Sequence, residues 1–207
     1  VEFMTPIIKA YCSDMGFRVC ETAIQVLGGY GFSREYPLEQ YLRDAKIMSL
    51  YEGTNGIQSM DLLGRKMRIQ NGACFKAFMN EIESFCVKNM AHKTLGKSVT
   101  ALSRTALHLK QSAEEMAARS ESDPHQWASY TYPALLCFGD VTVAWRLLDM
   151  AVIAEKIMAE KGENDYYRGK ILQATYFAGV TLPITESRLE TCLRNGREIV
   201  DMPEGAF

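Results

Sequence analysis

The sequence predicts an all-α protein, and two observations carry that prediction. Apolar residues recur at three- and four-residue intervals along nearly every segment, which is the period of an amphipathic helix. Glycine, proline and asparagine stand between those segments, where they begin and end helices. No segment shows the strict alternation of a half-buried strand. The expected architecture is an antiparallel helical bundle joined to a shorter helical region.

The first helix and the link after it are marked by glycine and proline. Apolar residues at helical spacing lead to Leu27, and Gly28 and Gly29 then act as a C-terminal stop. The turn-rich link GGYGFSREYP follows. Pro37 suits the first position of a short helix that ends at about Lys46.

A second link, SLYEG, is expected to be non-helical and to precede the third helix. Thr54 or Asn55 can cap that helix, because both side chains accept hydrogen bonds from free helix amides. Its apolar residues recur at helical spacing: Ile57, Met60, Leu63 and Met67. The dipeptide NG at 71–72 then signals a turn. We expect a boundary there, with one domain over residues 1–70 and a second over 71–207.

The C-terminal part predicts long helices joined by short breaks. Their expected bounds are Phe75–Met90, Leu95–Ser120 and about Pro124–Lys161. After a Gly-Glu-Asn break, Asn164 or Asp165 can cap a further helix through about Val180. Pro183 is expected to end it, because proline lacks the amide donor. A short helix through Arg194 then follows.

Composition disfavours several functions. The chain has 207 residues, of which 47% are hydrophobic, and a formal net charge of −2. This balance argues against binding nucleic acid through phosphate neutralisation. No apolar run approaches the roughly 20 residues of a membrane span, and residues 1–11 lack the pattern of a signal peptide. Because a helical pattern is already under way near Val1, we expect a fragment of a longer protein.

The cysteines and histidines predict no metal site. None of the six cysteines forms a C-x-x-C pair, and only three histidines accompany them. We interpret the cysteines as reduced, mostly buried thiols of a cytoplasmic protein. We interpret the histidines as structural, because none forms a partner pattern with Cys or Asp.

Two segments could carry chemistry. QVLGGYGF, residues 25–32, is glycine-rich, and glycine lets a backbone approach a phosphate closely. It follows a helix, however, and a helix stop with a tight turn explains it equally. SLYEGTNGIQ, residues 49–58, holds one carboxylate, Glu52, and Gly53 leaves room for a ligand beside it. The alternative is a solvated loop glutamate.

The order and spacing of these segments resemble a known family. The stretch from Gln25 to Gln58 resembles the C-terminal α-domain of acyl-CoA dehydrogenases through its Q-x-x-G-G-x-G turn, R-E-Y-P helix start, R-D-A-K and Y-E-G-T. The match extends over about residues 10–67. The remainder, about residues 72–202, is similar in order and character to the extra helical domain of longer members. These include 3-methylmercaptopropionyl-CoA dehydrogenases and, more distantly, acyl-CoA oxidases.

The resemblance implies FAD as the cofactor, an acyl-CoA thioester as the substrate and Glu52 as the catalytic base. In the family this glutamate takes the α-proton with its side chain. Its backbone amide and a flavin ribityl hydroxyl stabilise the enolate charge that develops. The β-hydrogen leaves as hydride to the flavin.

The same resemblance implies roles for neighbouring positions. Gln25, Gly28 and Gly29 match residues that contact the FAD of a neighbouring subunit, and Thr54 matches a contact to FAD within its own subunit. Gly56 stands where many relatives have a cofactor-contacting glutamine, so only its backbone can contribute.

The substrate pocket and the partners are implied in the same way. Tyr51 and Gly53 match positions on the acyl side of the pocket, and Gly64 replaces a basic residue of shorter relatives. The implied partners are acyl-CoA, an electron-transfer flavoprotein and further copies of the chain in a homo-oligomer.

Two expectations concern the chain as a whole. Family members complete the FAD site with an N-terminal helical domain and a middle β-domain, so we expect this chain alone to be inactive and not to retain FAD. Two alternative functions stay open. One is an acyl-CoA oxidase, which passes electrons to oxygen. The other is a DNA-binding flavoprotein of the same fold, which the charge disfavours.

Overall fold

The computed structural model describes residues 1–194 and 196–206, and these residues contain helices and no strand. The all-α prediction is confirmed. The α-helices are α1 (Met4–Leu27), α2 (Gly29–Phe32), α3 (Leu38–Lys46), α4 (Asn55–Met60), α5 (Ala73–Asn89), α6 (Gly96–Ser122), α7 (Pro124–Lys161) and α8 (Asp165–Cys192). Turns of 3-10 helix cover Ile47–Ser49, Lys66–Gly72 and Glu204–Ala206, and a π-helical segment covers Asp61–Arg65. Within Lys66–Gly72 the backbone of residues 69–71 is non-helical.

The link after α1 is more regular than its turn residues predict. Gly28 adopts φ 59° and ends α1, as expected. The next residues form the helical turn α2 instead of an irregular link. Gly31 permits this turn, because a Cβ at its position would lie 2.5 Å from the carbonyl oxygen of Ile24. α3 begins directly after Pro37 and ends at Lys46, as predicted.

Of the third predicted helix, only the first part, α4, is a regular α-helix. Thr54 caps α4 and accepts a hydrogen bond from the amide of Ile57 at 3.4 Å. The chain then widens into the π-helical segment, where the neighbouring residues Leu62 and Leu63 are both fully buried. Three consecutive residues with positive φ, 70–72, form the predicted turn.

The helices α5 to α8 form the C-terminal bundle. Asp123 alone joins α6 to α7, and its carboxylate accepts a hydrogen bond from the amide of Gln126 at 3.2 Å. Asn164 caps α8, one of the two predicted alternatives. α7 is the central helix: it is buried almost continuously over residues 134–141 and contacts α1, α4, α5, α6 and α8. A helix with neighbours on all sides is apolar all round.

The prediction that Pro183 ends its helix is wrong. α8 continues through it to Cys192, so the short helix predicted after it is the last part of α8. Proline inside a helix removes one backbone hydrogen bond and costs roughly 3 kcal/mol. Burial of Leu182 and Leu189 on either side of it holds α8 against its neighbours and offsets that cost.

One hydrophobic core crosses the turn at residues 70–72. Phe3, which precedes α1, packs against Phe75 and Phe78 of α5 and Phe138 of α7, with ring centroids 5.5 to 6.1 Å apart. The division into two domains stays a prediction, and the core is shared between the two parts.

The remaining general expectations concern the cysteines and the membrane. The six cysteines are free thiols, of which Cys86, Cys137 and Cys192 are buried and Cys12 is exposed. None of the described helices combines the length and apolar character that crossing a membrane requires.

Candidate active site

Glu52 lies in an exposed loop between the 3-10 turn Ile47–Ser49 and α4. Its backbone has φ 55°, and that of Gly53 has φ 82°. A left-handed conformation costs a non-glycine residue roughly 1–2 kcal/mol, so surrounding contacts must stabilise it. Among the described residues, none forms a hydrogen bond or an ion pair with the exposed Glu52 carboxylate.

Three hydrogen bonds hold this loop. The side-chain amide of Gln58 donates to the carbonyl oxygen of Glu52 at 2.8 Å. The ammonium of Lys9, on α1, donates to the carbonyl oxygen of Gly53 at 2.7 Å and to Oδ1 of Asn55 at 2.8 Å. The loop is therefore fixed through two backbone oxygens and the Asn55 side chain, and the side chain of Glu52 takes no part.

Asn55 joins the loop to α1 and is buried. Its Nδ2 atom donates to Oγ of Ser13 at 2.9 Å and to the carbonyl oxygen of Ala10 at 3.3 Å. The structure thus gives the capping role to Thr54 and this joining role to Asn55. Sequence reasoning missed both Lys9 and Ser13. The one signal for Lys9 is its position as a lone charge inside the apolar stretch PIIKAYCS.

The glycine-rich segment lies at the other end of α1. Gln25, Gly28 and Gly29 are all exposed, and a Cβ at either glycine would meet no atom of the chain within 4 Å. The axis of α1 between Lys9 and Gln25 is about 24 Å long at 1.5 Å per residue. Within one chain, these three residues are therefore not brought together with Glu52.

The other predicted site residues lie beside Glu52 in the chain. Tyr51 is half-exposed, and Thr54 and Gly56 are exposed. A Cβ at Gly56 would approach only the Thr54 hydroxyl, at 3.9 Å, so the backbone there is open. Gly53 is partly buried, and its positive φ favours glycine.

Gly64 has a structural reason to be glycine. A Cβ at this position would lie 3.3 Å from Cη2 of Trp127 on α7. A side chain at this position would therefore press on the indole ring, which packs against the core.

Several large apolar side chains between the C-terminal part of α1 and α4 are exposed. They are Val26, Tyr30, Phe32, Tyr41, Ile47, Leu50, Tyr51 and Ile57. Within the part of the chain that the structure describes, no group of three His, Cys, Asp or Glu side chains could hold a metal ion.

Comparison with known proteins supplies the family. The profile described as "Acetyl-CoA dehydrogenase C-terminal like" matches residues 78–203. The profile described as "Acyl-CoA dehydrogenase, C-terminal domain" matches residues 2–67. The chain belongs to the acyl-CoA dehydrogenase family. The resemblance seen in the sequence is thereby confirmed.

Two relatives are longer members of the acyl-CoA dehydrogenase family. The chain is 29% identical to the broad-specificity linear acyl-CoA dehydrogenase of Mycobacterium tuberculosis, over 100% of this chain and 35% of the relative. It is 30% identical to the 3-methylmercaptopropionyl-CoA dehydrogenase of Ruegeria pomeroyi, over 86% of this chain and 30% of the relative. The chain thus spans about a third of the length of the curated relatives it matches.

A solved structure shows the same fold. An acyl-CoA dehydrogenase of Bacillus anthracis, complexed with FAD, matches 96% of this chain with a TM-score of 0.66 and 16% sequence identity. The match covers 34% of that protein. At this identity the likeness concerns the fold alone.

Proposed function

We propose that Glu52 is the base of a flavin-dependent acyl-CoA dehydrogenase and removes the α-proton of an acyl-CoA thioester in the whole protein. One observation carries the proposal. A non-glycine residue at the position of the family's base is held at φ 55° by a loop whose anchoring spares its side chain. Backbone strain of this kind concentrates at functional sites.

The loop leaves two groups of Glu52 for the substrate. The carboxylate takes the α-proton. The backbone N–H, which has no acceptor among the described residues, donates a hydrogen bond to the thioester carbonyl oxygen. A fixed donor at this oxygen stabilises the charge that develops as the proton leaves. FAD, when bound, supplies the acceptor for the β-hydrogen.

The chain offers FAD contacts in two separate places. Thr54 and the backbone of Gly56 would hold the FAD of their own subunit. Gln25, Gly28 and Gly29 would contact that of a neighbouring subunit, as the family resemblance implies, and within one chain they lie about 24 Å along α1 from Lys9, which holds the Glu52 loop. Both places fit a large flat ligand, since the exposed glycines leave the backbone open to close approach. A homo-oligomer therefore follows from this assignment.

Tyr51 and Gly53 would line the acyl side of the pocket. Tyr51 precedes the base directly, and its ring is half-exposed and available to an acyl chain. For the electron acceptor of the whole enzyme we propose an electron-transfer flavoprotein. Turnover in air without hydrogen peroxide, and with reduction of that acceptor, is the expected result. Stoichiometric peroxide would instead identify an oxidase.

The base is tested with Glu52→Gln in the full-length protein. Removal of a general base commonly costs at least about a hundredfold in rate, so we expect kcat to fall by that factor or more while FAD stays bound. Glu35→Gln is the matched control, because Glu35 is also exposed and lies outside the loop. Measurements are flavin absorbance, acyl-CoA binding and the rate of flavin reduction in a single turnover.

A Glu52→Gln protein that keeps FAD and reduces it at the wild-type rate would exclude Glu52 as the base. Equal losses in Glu52→Gln and Glu35→Gln would point to a general effect of charge removal and would likewise contradict the assignment.

A further inference from the structure

A buried carboxylate on α7 joins three helices. Asp140 accepts a hydrogen bond from the hydroxyl of Tyr11, on α1, at 2.8 Å. Its other oxygen accepts from the hydroxyl of Thr185 at 3.0 Å and from the guanidinium of Arg188 at 2.7 Å, both on α8. Asp140 is 5% exposed, so its charge depends on these partners. The C-terminal bundle is thereby tied to α1 by a buried network.

The position of Tyr11 in this network is sterically defined. Its ring lies against Gly139, where a Cβ would overlap the ring. Burial and the Asp140 carboxylate raise the pKa of the Tyr11 phenol, so the hydroxyl remains a donor. If the hydroxyl is removed, one oxygen of a buried carboxylate loses its partner, which is more costly than losing an exposed hydrogen bond.

Two further polar contacts connect α7 to the same region. The hydroxyl of Tyr132 donates to the carboxylate of Asp14 on α1. The hydroxyls of Thr131 and Ser59, on α7 and α4, lie 3.0 Å apart and are buried. α7 therefore contacts both helices whose side chains hold the Glu52 loop, α1 and α4.

The residues of α1 that hold the Glu52 loop alternate with those that bind α7. Lys9, Ala10 and Ser13 bond to the loop and to Asn55, while Tyr11 and Asp14 bond to α7. Residues 9–14 span only about 7.5 Å along the helix. A movement of this short segment away from α7 must therefore move the anchors of the loop.

We propose that Tyr11 is a positioning residue, which fixes the anchors of the Glu52 loop by joining α1 to Asp140. The C-terminal bundle then sets the position of the base through its contacts with α1. The effect on catalysis rests on the function proposed for Glu52. The effect on the loop does not.

The test compares Tyr11→Phe with the wild type in the full-length protein with FAD bound. Loss of one buried hydrogen bond corresponds to about fivefold in an equilibrium. We therefore expect hydrogen–deuterium exchange in peptides covering residues 48–60 to rise about fivefold. We expect kcat to fall by a similar factor with KM for acyl-CoA nearly unchanged, because the substrate contacts remain.

Thr105→Val is the matched control. Thr105 is buried and donates to Glu186 at 2.6 Å, so it links α6 to α8 without touching α1. Loss of the Thr105 hydroxyl should leave hydrogen–deuterium exchange in residues 48–60 and kcat at wild-type values. If Tyr11 only stabilised the fold, the two variants would instead show equal effects. Unchanged loop exchange in Tyr11→Phe, or an equal rise in Thr105→Val, overturns the proposal.

A second variant keeps the proposal testable if Tyr11→Phe does not fold. Tyr132→Phe removes the neighbouring contact to Asp14 and should also raise exchange in the loop. Wild-type exchange in that variant overturns the proposal. The test of Glu52 is independent of this one. An active Glu52→Gln protein would contradict the assignment of Glu52 as the base, whereas the role of Tyr11 in holding the loop would still be decided by the exchange measurements.

Discussion

Lys9 helps to hold the Glu52 loop through hydrogen bonds that leave the side chain of Glu52 free. Lys9 donates to a carbonyl oxygen and to an amide oxygen, at 2.7 and 2.8 Å, and both acceptors are neutral. A charged donor makes a stronger hydrogen bond than a neutral one. The loop therefore keeps a left-handed glutamate in place without using its carboxylate, which is what a base that must contact substrate requires.

Gly139 and Gly169 are both helical glycines, and the structure predicts opposite effects when each becomes alanine. A Cβ at Gly139 would overlap the Tyr11 ring, whereas one at Gly169 meets no atom within 4 Å. We expect Gly139→Ala to lower the free energy of unfolding by about 1–3 kcal/mol, because the added methyl group overpacks the core. Gly169→Ala should stabilise by about 0.5–1 kcal/mol, because alanine is the better helix former. Urea denaturation of both variants measures the difference.

If Gly139→Ala is as stable as the wild type, the Tyr11 ring does not lie against α7 as described. A loss of stability in Gly169→Ala would contradict the open surroundings of that residue.

Some residues of the candidate site could be predicted from the sequence, and others could not. Glu52 and Thr54 stand in a motif whose members are neighbours in the chain, so spacing alone places them together. Lys9 and Tyr11 act on partners about 45 and 130 positions away. Those pairings depend on how helices pack, which helical periodicity does not specify.

At the scale of elements, α6 and α8 are linked by the carboxylate of Glu186. Burial opposes its ionisation, but a hydrogen bond from Thr105, a hydrogen bond with His108 and the positive charge of Arg104 lower its pKa below the ordinary 4.5. A lowered carboxyl pKa stabilises the fold above the unfolded value. This stabilisation is fully present above pH 4.5 and is lost as the pH falls through the lower, folded value.

We therefore expect Glu186→Gln to melt at a lower temperature than the wild type at pH 7. The difference should stay constant down to about pH 5 and shrink below pH 4.5. Thermal melts by circular dichroism from pH 3 to 8 measure it, and Glu198→Gln, a change at an exposed surface pair, is the control. A difference in melting temperature that grows as the pH falls would contradict the lowered pKa of Glu186.

The helix bounds were largely predictable because their causes are local. Pro124, Asn164 and Gly28 act on the residues next to them, and their helices begin or end there as expected. Pro183 also acts locally, yet its effect is outweighed by the burial of α8 on both sides of it. A rule based on backbone donors cannot anticipate that outcome, because the stabilising contacts come from distant helices.

At the scale of the whole molecule, the shared core has a consequence for the active site. Phe3, Phe75 and Phe138 belong to one aromatic cluster, although they lie on both sides of the turn at residues 70–72. The helices that hold the Glu52 loop are therefore stabilised by the C-terminal bundle. Composition and periodicity predict that each part is helical but contain no information on how the two parts pack.

The separation of the two regions proposed to contact FAD predicts how this chain behaves alone. Gln25 and Thr54 lie near opposite ends of α1, so under the proposed assignment one copy would offer each FAD only part of its contacts. We therefore expect the purified 207-residue chain to show no flavin absorbance and to bind added FAD with at most weak affinity by titration calorimetry. The full-length protein, as the control, should be yellow and should reduce its flavin on addition of acyl-CoA. A yellow 207-residue chain that reduces a dye when acyl-CoA is added would contradict this division of the site.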